Sequence, residues 1–271
     1  LLPVRKREII GSSIQTIESI ILKKWKSKTR LSVTLLSVAE QGMKVENSGF
    51  LKKLTPLFSK VELIKKVVES NKTADAILDE SKKDYDLIVL GASKRIGDSS
   101  ILFTPLVDYL VSLSPCPTMV VHGRSLEEGW APNRILVPTN GTMSAKNAAE
   151  VAFSLSSSEN SEVIILNVVV KDENPWRYET QRETVEHRLG ISHQIVDELR
   201  EIGESRGVLT MGDVRVGPDL ETVILDVVDK EKIDIIILGT NIRAGSERLF
   251  LGPRVEKILA NAPCPVIIFN S

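Results

Sequence analysis

The stretch Gly239-Thr-Asn-Ile-Arg243-Ala-Gly245-Ser246-Glu-Arg248-Leu-Phe-Leu-Gly252-Pro253-Arg254 combines the residue types that hold anions. Glycines let backbone N–H groups approach an anion closely. Gly252 stands where a helix begins, and the unpaired N–H groups and positive dipole end of a helix start favour phosphate. Arg243, Arg248 and Arg254 add charge and forked donors. The bland alternative is a loop whose glycines only satisfy a tight turn, because the spacing is neither a Walker loop nor a dinucleotide fingerprint.

Other reactive residue types form no such group. Of the three histidines, His187 and His193 are six residues apart in a helical stretch and fall on different faces, so they make no metal pair. His122 closes an apolar run, and all three are read as surface histidines. Cys116 and Cys264 each sit between two prolines and are read as packed turn residues. No Ser-His-Asp set, catalytic carboxylate pair or metal cluster is evident, so the chain is not expected to be an enzyme; slow ATP hydrolysis is the alternative, without a base or a lysine cradle to support it.

The elements that must position the glycine-arginine loop come from a repeat. Asp86-Leu-Ile-Val-Leu-Gly91 matches Asp234-Ile-Ile-Ile-Leu-Gly239, and the same offset of 148 places Pro115-Cys116-Pro117 on Pro263-Cys264-Pro265, with eleven identities in 36 ungapped positions. The 271 residues therefore divide into a first copy at 1–123, a linker at 124–133 and a second copy at 134–271. In the second copy, strands are expected at 135–138, 163–170, 214–216, 235–238 and 266–269. Helices are expected at 144–156, 184–206 and 220–229, with a last helix opened by Gly252. The first copy repeats this order, its opening helix carrying Ile10, Ile14, Ile17 and Ile21. Residues 172–176 are read as a solvated loop, the alternative being a lid. Strands without polar alternation are buried on both faces, which predicts an α/β fold of doubly wound parallel five-stranded domains with ligands at the strand carboxyl ends.

Composition narrows the class. With 42% hydrophobic and 26% charged residues and two cysteines, the chain reads as globular and from a reducing compartment. No apolar run approaches the ~18–20 residues of a membrane helix. Residues 1–123 hold 19 basic and 13 acidic residues, and the remainder 16 and 23. Eight of the basic residues lie between Arg5 and Arg30; they are read as a solvated helix face, the alternative being a surface that faces anionic lipid or an acidic partner. With Trp25 as its lone aromatic, that stretch is not expected to bind nucleic acid. Leu1-Leu2-Pro3-Val4 already reads as a strand, so a longer polypeptide is expected to precede it.

The whole chain resembles a tandem universal stress protein. Nucleotide-binding members of that family carry Gly-x2-Gly-x9-Gly-Ser/Thr before the last helix; this chain has Gly239, Ile242, Gly252 and Pro253 at those positions, and the typical ending Ala262-Pro263-Cys264-Pro265-Val266. The resemblance implies a Rossmann-like, adenine nucleotide alpha hydrolase-like fold and a pseudo-two-fold pairing of the copies through their final strands. It also implies adenosine beside Asn140, where the family has Asp, and beside the backbone of Val168. The candidate binding set is Pro138, Thr139, Asn140, Val168, Leu238, Gly239, Asn241, Arg243, Gly245, Gly252, Arg254 and Val255. Asn140 lacks the charge of Asp, so Mg²⁺ is not expected. Pro253 removes an N–H and a hydroxyl. The first-copy loop, Gly91-Ala-Ser-Lys94-Arg95-Ile-Gly97, ends in Thr104-Pro105 without the helix-start glycine and has Arg5 where Asn140 sits, so binding is expected in the second copy.

The function expected is a non-enzymatic regulatory module that binds an adenine nucleotide (ATP, ADP or AMP). Ile-Leu-Val-Pro-Thr-Asn-Gly at 135–141 and Leu-Gly-Pro-Arg-Val-Glu at 251–256 resemble the cytoplasmic tails of bacterial cation/proton antiporters. That resemblance implies a preceding transmembrane transporter domain and a location on the cytoplasmic side of the inner membrane; a homodimer is a separate expectation among the partners. The alternatives are a dimerisation module with empty sites and a free-standing cytoplasmic stress-response protein.

Overall fold

The structure is a computed structural model and describes residues 1–4, 12–20, 31–58, 61–92, 104–123, 126, 130–156, 161–171, 178–240 and 252–271. The chain divides into two compact units, one built on Leu1–Trp130 and the other on Ala131–Thr240 with Leu251–Phe269.

The first unit runs β1 (Leu2–Pro3), α1 (Ser12–Ser19), β2 (Ser32–Ala39), α2 (Lys44–Leu54), a 3-10 turn at Thr55–Phe58, β3 (Glu62–Glu69), α3 (Thr73–Ser81), β4 (Ile88–Ala92), α4 (Pro105–Leu113) and β5 (Thr118–His122). β1 pairs with β2, β2 with β3 and β4 with β5, all parallel. Leu1 N donates to Leu87 O at 2.7 Å and Val89 N–H to Leu1 O at 2.9 Å, joining β1 to β4. The spatial order is thus β3-β2-β1-β4-β5.

The second unit repeats the plan with β6 (Arg134–Pro138), α5 (Met143–Leu155), β7 (Glu162–Val170), α6 (Tyr178–Ser205), β8 (Leu209–Gly217), α7 (Leu220–Lys230), β9 (Ile235–Thr240), α8 (Gly252–Asn261) and β10 (Val266–Asn270). Its strand order is β10-β9-β6-β7-β8, with β6 parallel to both β7 and β9. The strand order, not the strand direction, reverses between β6 and β9, and this is the switch point at which such sheets open a crevice.

Burial explains the unpatterned strands. Ile135, Leu136 and Val137 are all 0% exposed, because helices cover both faces. α5 lays Ala145, Ala148, Ala149 and Ala152 against the sheet, and these small side chains let helix and strands approach closely. Capping fixes the helix starts: Asp219 Oδ1 accepts the Thr222 N–H at 2.7 Å at α7, and Thr104 caps α4 ahead of Pro105. At the amino ends of the second sheet, Arg134 Nε bonds Glu162 Oε2 at 3.0 Å. Asp234 Oδ2 accepts the N–H groups of Asn133 and Arg134 at 2.9 and 2.8 Å, so the starts of β6, β7 and β9 are clamped together.

Several sequence expectations need correction. The strand expected at 214–216 spans Leu209–Gly217, and the long helix begins at Tyr178 instead of 184. The apolar stripe of α1 is carried by Ile17, 1% exposed, with Ile14 half-buried, and is continued by Ile20, also 1% exposed, just past the end of the helix; Ile10 and Ile21 lie outside the described residues. His122 is buried, not at the surface, because it is the last residue of β5; His187 and His193 are exposed on α6. Cys116 and Cys264 are free thiols, half-buried and buried. Residues 172–176 lie outside the described residues.

One polar cluster locks β3 to α3. Glu80 is 4% exposed and receives Lys66 Nζ at 2.8 Å, Lys83 Nζ at 2.9 Å and the Tyr85 hydroxyl at 2.9 Å. Burial alone would raise its pKa, but the hydrogen bonds from Lys66, Lys83 and Tyr85 outweigh it and hold the carboxyl below the usual 4.5. A folded-state pKa below the unfolded one gives stability that is complete above the unfolded value and is lost as pH falls through the folded value. Urea unfolding should show Glu80→Gln losing about 1–3 kcal/mol at pH 7. The loss should shrink as pH falls below 4.5; a pH-independent difference would remove the carboxylate as its cause.

Candidate functional site

Three strand ends meet at the carboxyl edge of the second unit. β6 ends at Pro138 and delivers Thr139 and Asn140, β7 carries Val168, and β9 ends with Leu238, Gly239 and Thr240. Thr139 is buried and engaged on every side: its N–H bonds Leu166 O at 2.8 Å, its carbonyl accepts Asn167 Nδ2 at 2.9 Å, and its Oγ1 accepts the Gly141 N–H at 3.2 Å. It therefore braces the loop through all three of these groups.

The turn after it is set by two residues. Gly141 has φ +78°, a conformation that L side chains rarely adopt, and a Cβ there would also meet Ile195 Cδ1 of α6 at 2.9 Å. Asn140 Oδ1 accepts both the N–H of Thr142 at 3.2 Å and its hydroxyl at 2.7 Å. The backbone N–H can only donate, so the oxygen of Asn140 must face it. The amide nitrogen of Asn140 is left as the group available to a ligand, whereas an aspartate would present a second acceptor.

Thr142 is the N-cap of α5 but makes no side-chain cap bond; its hydroxyl goes instead to Asn140 and, at 3.1 Å, to Ser144. Among the described residues, the first-turn N–H groups of α5 thus start without a side-chain cap, at the edge where β6 and β9 end. Gly239 sets the spacing. A Cβ on it would overlap the Ser144 carbonyl and lie 2.8 Å from Ala145 N, so only glycine lets β9 end against the first turn of α5.

α8 opens at Gly252, as the spacing predicts, with Arg254 exposed and Val255 half-buried on its first turns. Asn241, Arg243 and Gly245 lie outside the described residues. Two residues join the edge that sequence reading missed. Asn167 holds Thr139, and its signal was a lone amide in a β-branched run. Arg188 of α6 donates to Val170 O at 3.1 Å, bringing a guanidinium to the end of β7; nothing in its local pattern marked it.

The first copy differs at the same register. Ser37 and Val38 stand where Asn167 and Val168 do, and Asn47 Nδ2 of α2 bonds Ser37 Oγ at 3.0 Å and the Val38 carbonyl at 3.3 Å. The carbonyl equivalent to that of Val168 is thus already taken within the chain. Gly91 is less crowded than Gly239, a Cβ meeting Ser13 Cβ at 3.2 Å.

Repeated parallel sheets of order 3-2-1-4-5, with a glycine-tightened switch point, define tandem doubly wound α/β domains. The model of the Universal stress protein family matches residues 22–122 and 132–270, and the chain belongs to that family. A universal stress protein of Methanocaldococcus jannaschii is 27% identical over 139 residues, covering 50% of this chain and 80% of that protein. A universal stress protein E homolog of Haemophilus influenzae is 25% identical over 228 residues, covering 76% and 69%. The crystal structure of a universal stress protein from Archaeoglobus fulgidus superposes with a TM-score of 0.66 at 16% identity, covering 98% of this chain and 94% of that one, which shows the shared fold.

The difference between the two glycines is measurable. Gly239→Ala should cost about 3 kcal/mol in urea unfolding, as overpacking against fixed backbone does. Gly91→Ala, facing a side chain, should cost clearly less. Equal losses would show that the α5 contact does not set the spacing.

Proposed function

We propose that the second copy binds an adenine nucleotide and that the chain acts as a non-enzymatic regulatory module. The observation that carries this reading is the first turn of α5, which has no side-chain cap among the described residues and is brought against the end of β9 at the switch point by Gly239. A helix start of this kind favours an anion, and the family resemblance supplies the adenosine side. In this reading Pro138, Thr139, Asn140, Val168 and Leu238 form the adenosine end. Gly239, Asn241, Arg243, Gly245, Gly252, Arg254 and Val255 form the phosphate end. Asn140 donates to the ligand through its amide and brings no charge for Mg²⁺.

A second reading, a dimerisation module with empty sites, is favoured by Ile242 and Pro253, which break the family's phosphate pattern. Calorimetric titration with ATP, ADP, AMP and cyclic nucleotides separates the two. Binding should be seen, and Arg243→Ala should weaken it by about 1.5–3 kcal/mol, the worth of a charge-assisted bond. No heat with any nucleotide at millimolar concentration would favour the empty module, and equal affinity in the variant would remove Arg243 from the site.

We further propose that the module works on the cytoplasmic face of the membrane, joined to a cation/proton antiporter. The excess of basic residues in 1–123 supports this, together with the resemblance of 135–141 and 251–256 to antiporter tails. None of the helices among the described residues is long and apolar enough to cross a membrane, so the spanning segments would belong to the joined transporter. A ligand would bias transport only by favouring one transporter state over another. Sequencing the gene tests the link: a reading frame starting within a few residues of Leu1, with no upstream apolar segments of ~20 residues, would leave the free-standing alternative.

A further inference from the structure

β8 is the outer strand of the second sheet, and among the described residues its ladder partner is β7. Edge strands of this length are usually blunted by charged side chains, lysine above all, by proline or by a bulge, to prevent pairing with another chain; the two charges of β8, Asp213 and Arg215, are of opposite sign. β8 spans nine residues and contains neither proline nor lysine.

One bond sets the direction of every backbone group along it. The Gly217 carbonyl accepts the Lys171 N–H at 2.8 Å and so points toward β7. The N–H and C=O of a strand residue share a side, and sides alternate along the chain. Met211, Asp213 and Arg215 therefore bond inward, while Gly212, Val214 and Val216 turn their N–H and C=O to the open edge. The side chains divide in the same way. Gly212 lies tight under Val196 of α6, whereas the opposite face leaves Leu209 63% and Met211 50% exposed.

We infer that this edge pairs antiparallel with β8 of a second copy of the chain, about a two-fold axis through Val214. Backbone direction and charge select that register together. Centred on Val214, each Val214 exchanges two hydrogen bonds with its equivalent, and Gly212 and Val216 exchange bonds across the axis. The intervening pairs are the narrow kind, with Cα atoms about 4.5 Å apart, where side chains are closest. Asp213 there faces the partner's Arg215, and Met211 faces the partner's Gly217. Centring on Asp213 or on Arg215 would set like charges opposite each other; centring on Gly212 would set both charges opposite apolar side chains. Within one chain Arg215 Nε bonds Asp213 Oδ2 at 2.7 Å with both side chains partly exposed, so pairing gathers two such couples into one alternating cluster. The contact is isologous and closes on itself, so it makes a dimer and not a filament.

The mass of the full chain by light scattering tests this. The chain should be dimeric at about 0.1 mM, a concentration at which even a weak edge contact is populated. Asp213→Arg and Arg215→Asp should each be monomeric. Their equimolar mixture should regain the dimer, because two arginines then face two aspartates. Val214→Pro removes an outward N–H from each copy and should weaken association at least about tenfold, with circular dichroism unchanged. A monomeric natural chain, a dimer that survives the charge variants, or a mixture that stays monomeric would each overturn the proposal, whether or not the proline variant folds.

Discussion

The close approach of β9 to the first turn of α5 is the constraint on which the second unit's site depends. A side chain at Gly239 would occupy the place of the Ser144 carbonyl. Because the glycine is there, the ends of β6 and β9 and the start of α5 share one small volume at the switch point. The turn between β6 and α5 then has to be short and sharply bent. Gly141 supplies the bend with its positive φ, and Asn140 and Thr142 close it with two hydrogen bonds to one oxygen. The same bonds draw the Thr142 hydroxyl away from capping the helix, so the geometry that builds the turn also leaves the helix start without its own side-chain cap.

The two copies show how one plan diverges. Both keep the strand order, the glycine at the end of the fourth strand and the proline-flanked cysteine before the fifth. They differ in the side chains that occupy the carboxyl edge. In the first unit, Asn47 reaches from α2 to the Val38 carbonyl. In the second, the amide at the edge, Asn167, turns to the neighbouring strand and braces Thr139. Each arrangement satisfies buried polar groups, as burial demands, but the first directs its amide to the strand-end carbonyl of Val38 and the second directs its amide to the Thr139 carbonyl of the neighbouring strand.

The opposite ends of the sheets do different work. At the amino edge of the second unit, Arg134, Glu162 and Asp234 clamp strand starts, and in the first unit Glu80 ties β3 to α3 through two lysines and a tyrosine. Such pairs hold the layers in register while the carboxyl edges stay free to vary. The division suits a fold in which loops carry function and the scaffold beneath them is rigid.

Local sequence was enough for the repeat, the alternation of strands and helices, and the parallel sheet. β7 was readable almost to the residue, because a run of β-branched side chains signals a strand buried on both faces. β8 was read as a third of its length. It lies at the edge, so half its residues face solvent, and Gly212 and Asp213 interrupt the apolar pattern that marks interior strands. The Gly239 motif was legible as a close approach, but what it approaches was not, since Ser144 lies in another element brought there by the sheet order. Arg188 and Asn47 were invisible for the same reason: each acts on a carbonyl of a different element. The sequence alone determined which residues are apolar, which positions need glycine, and how often the pattern repeats. The tertiary structure alone decided which polar side chain meets which backbone group, because those meetings depend on crossover geometry and not on spacing along the chain.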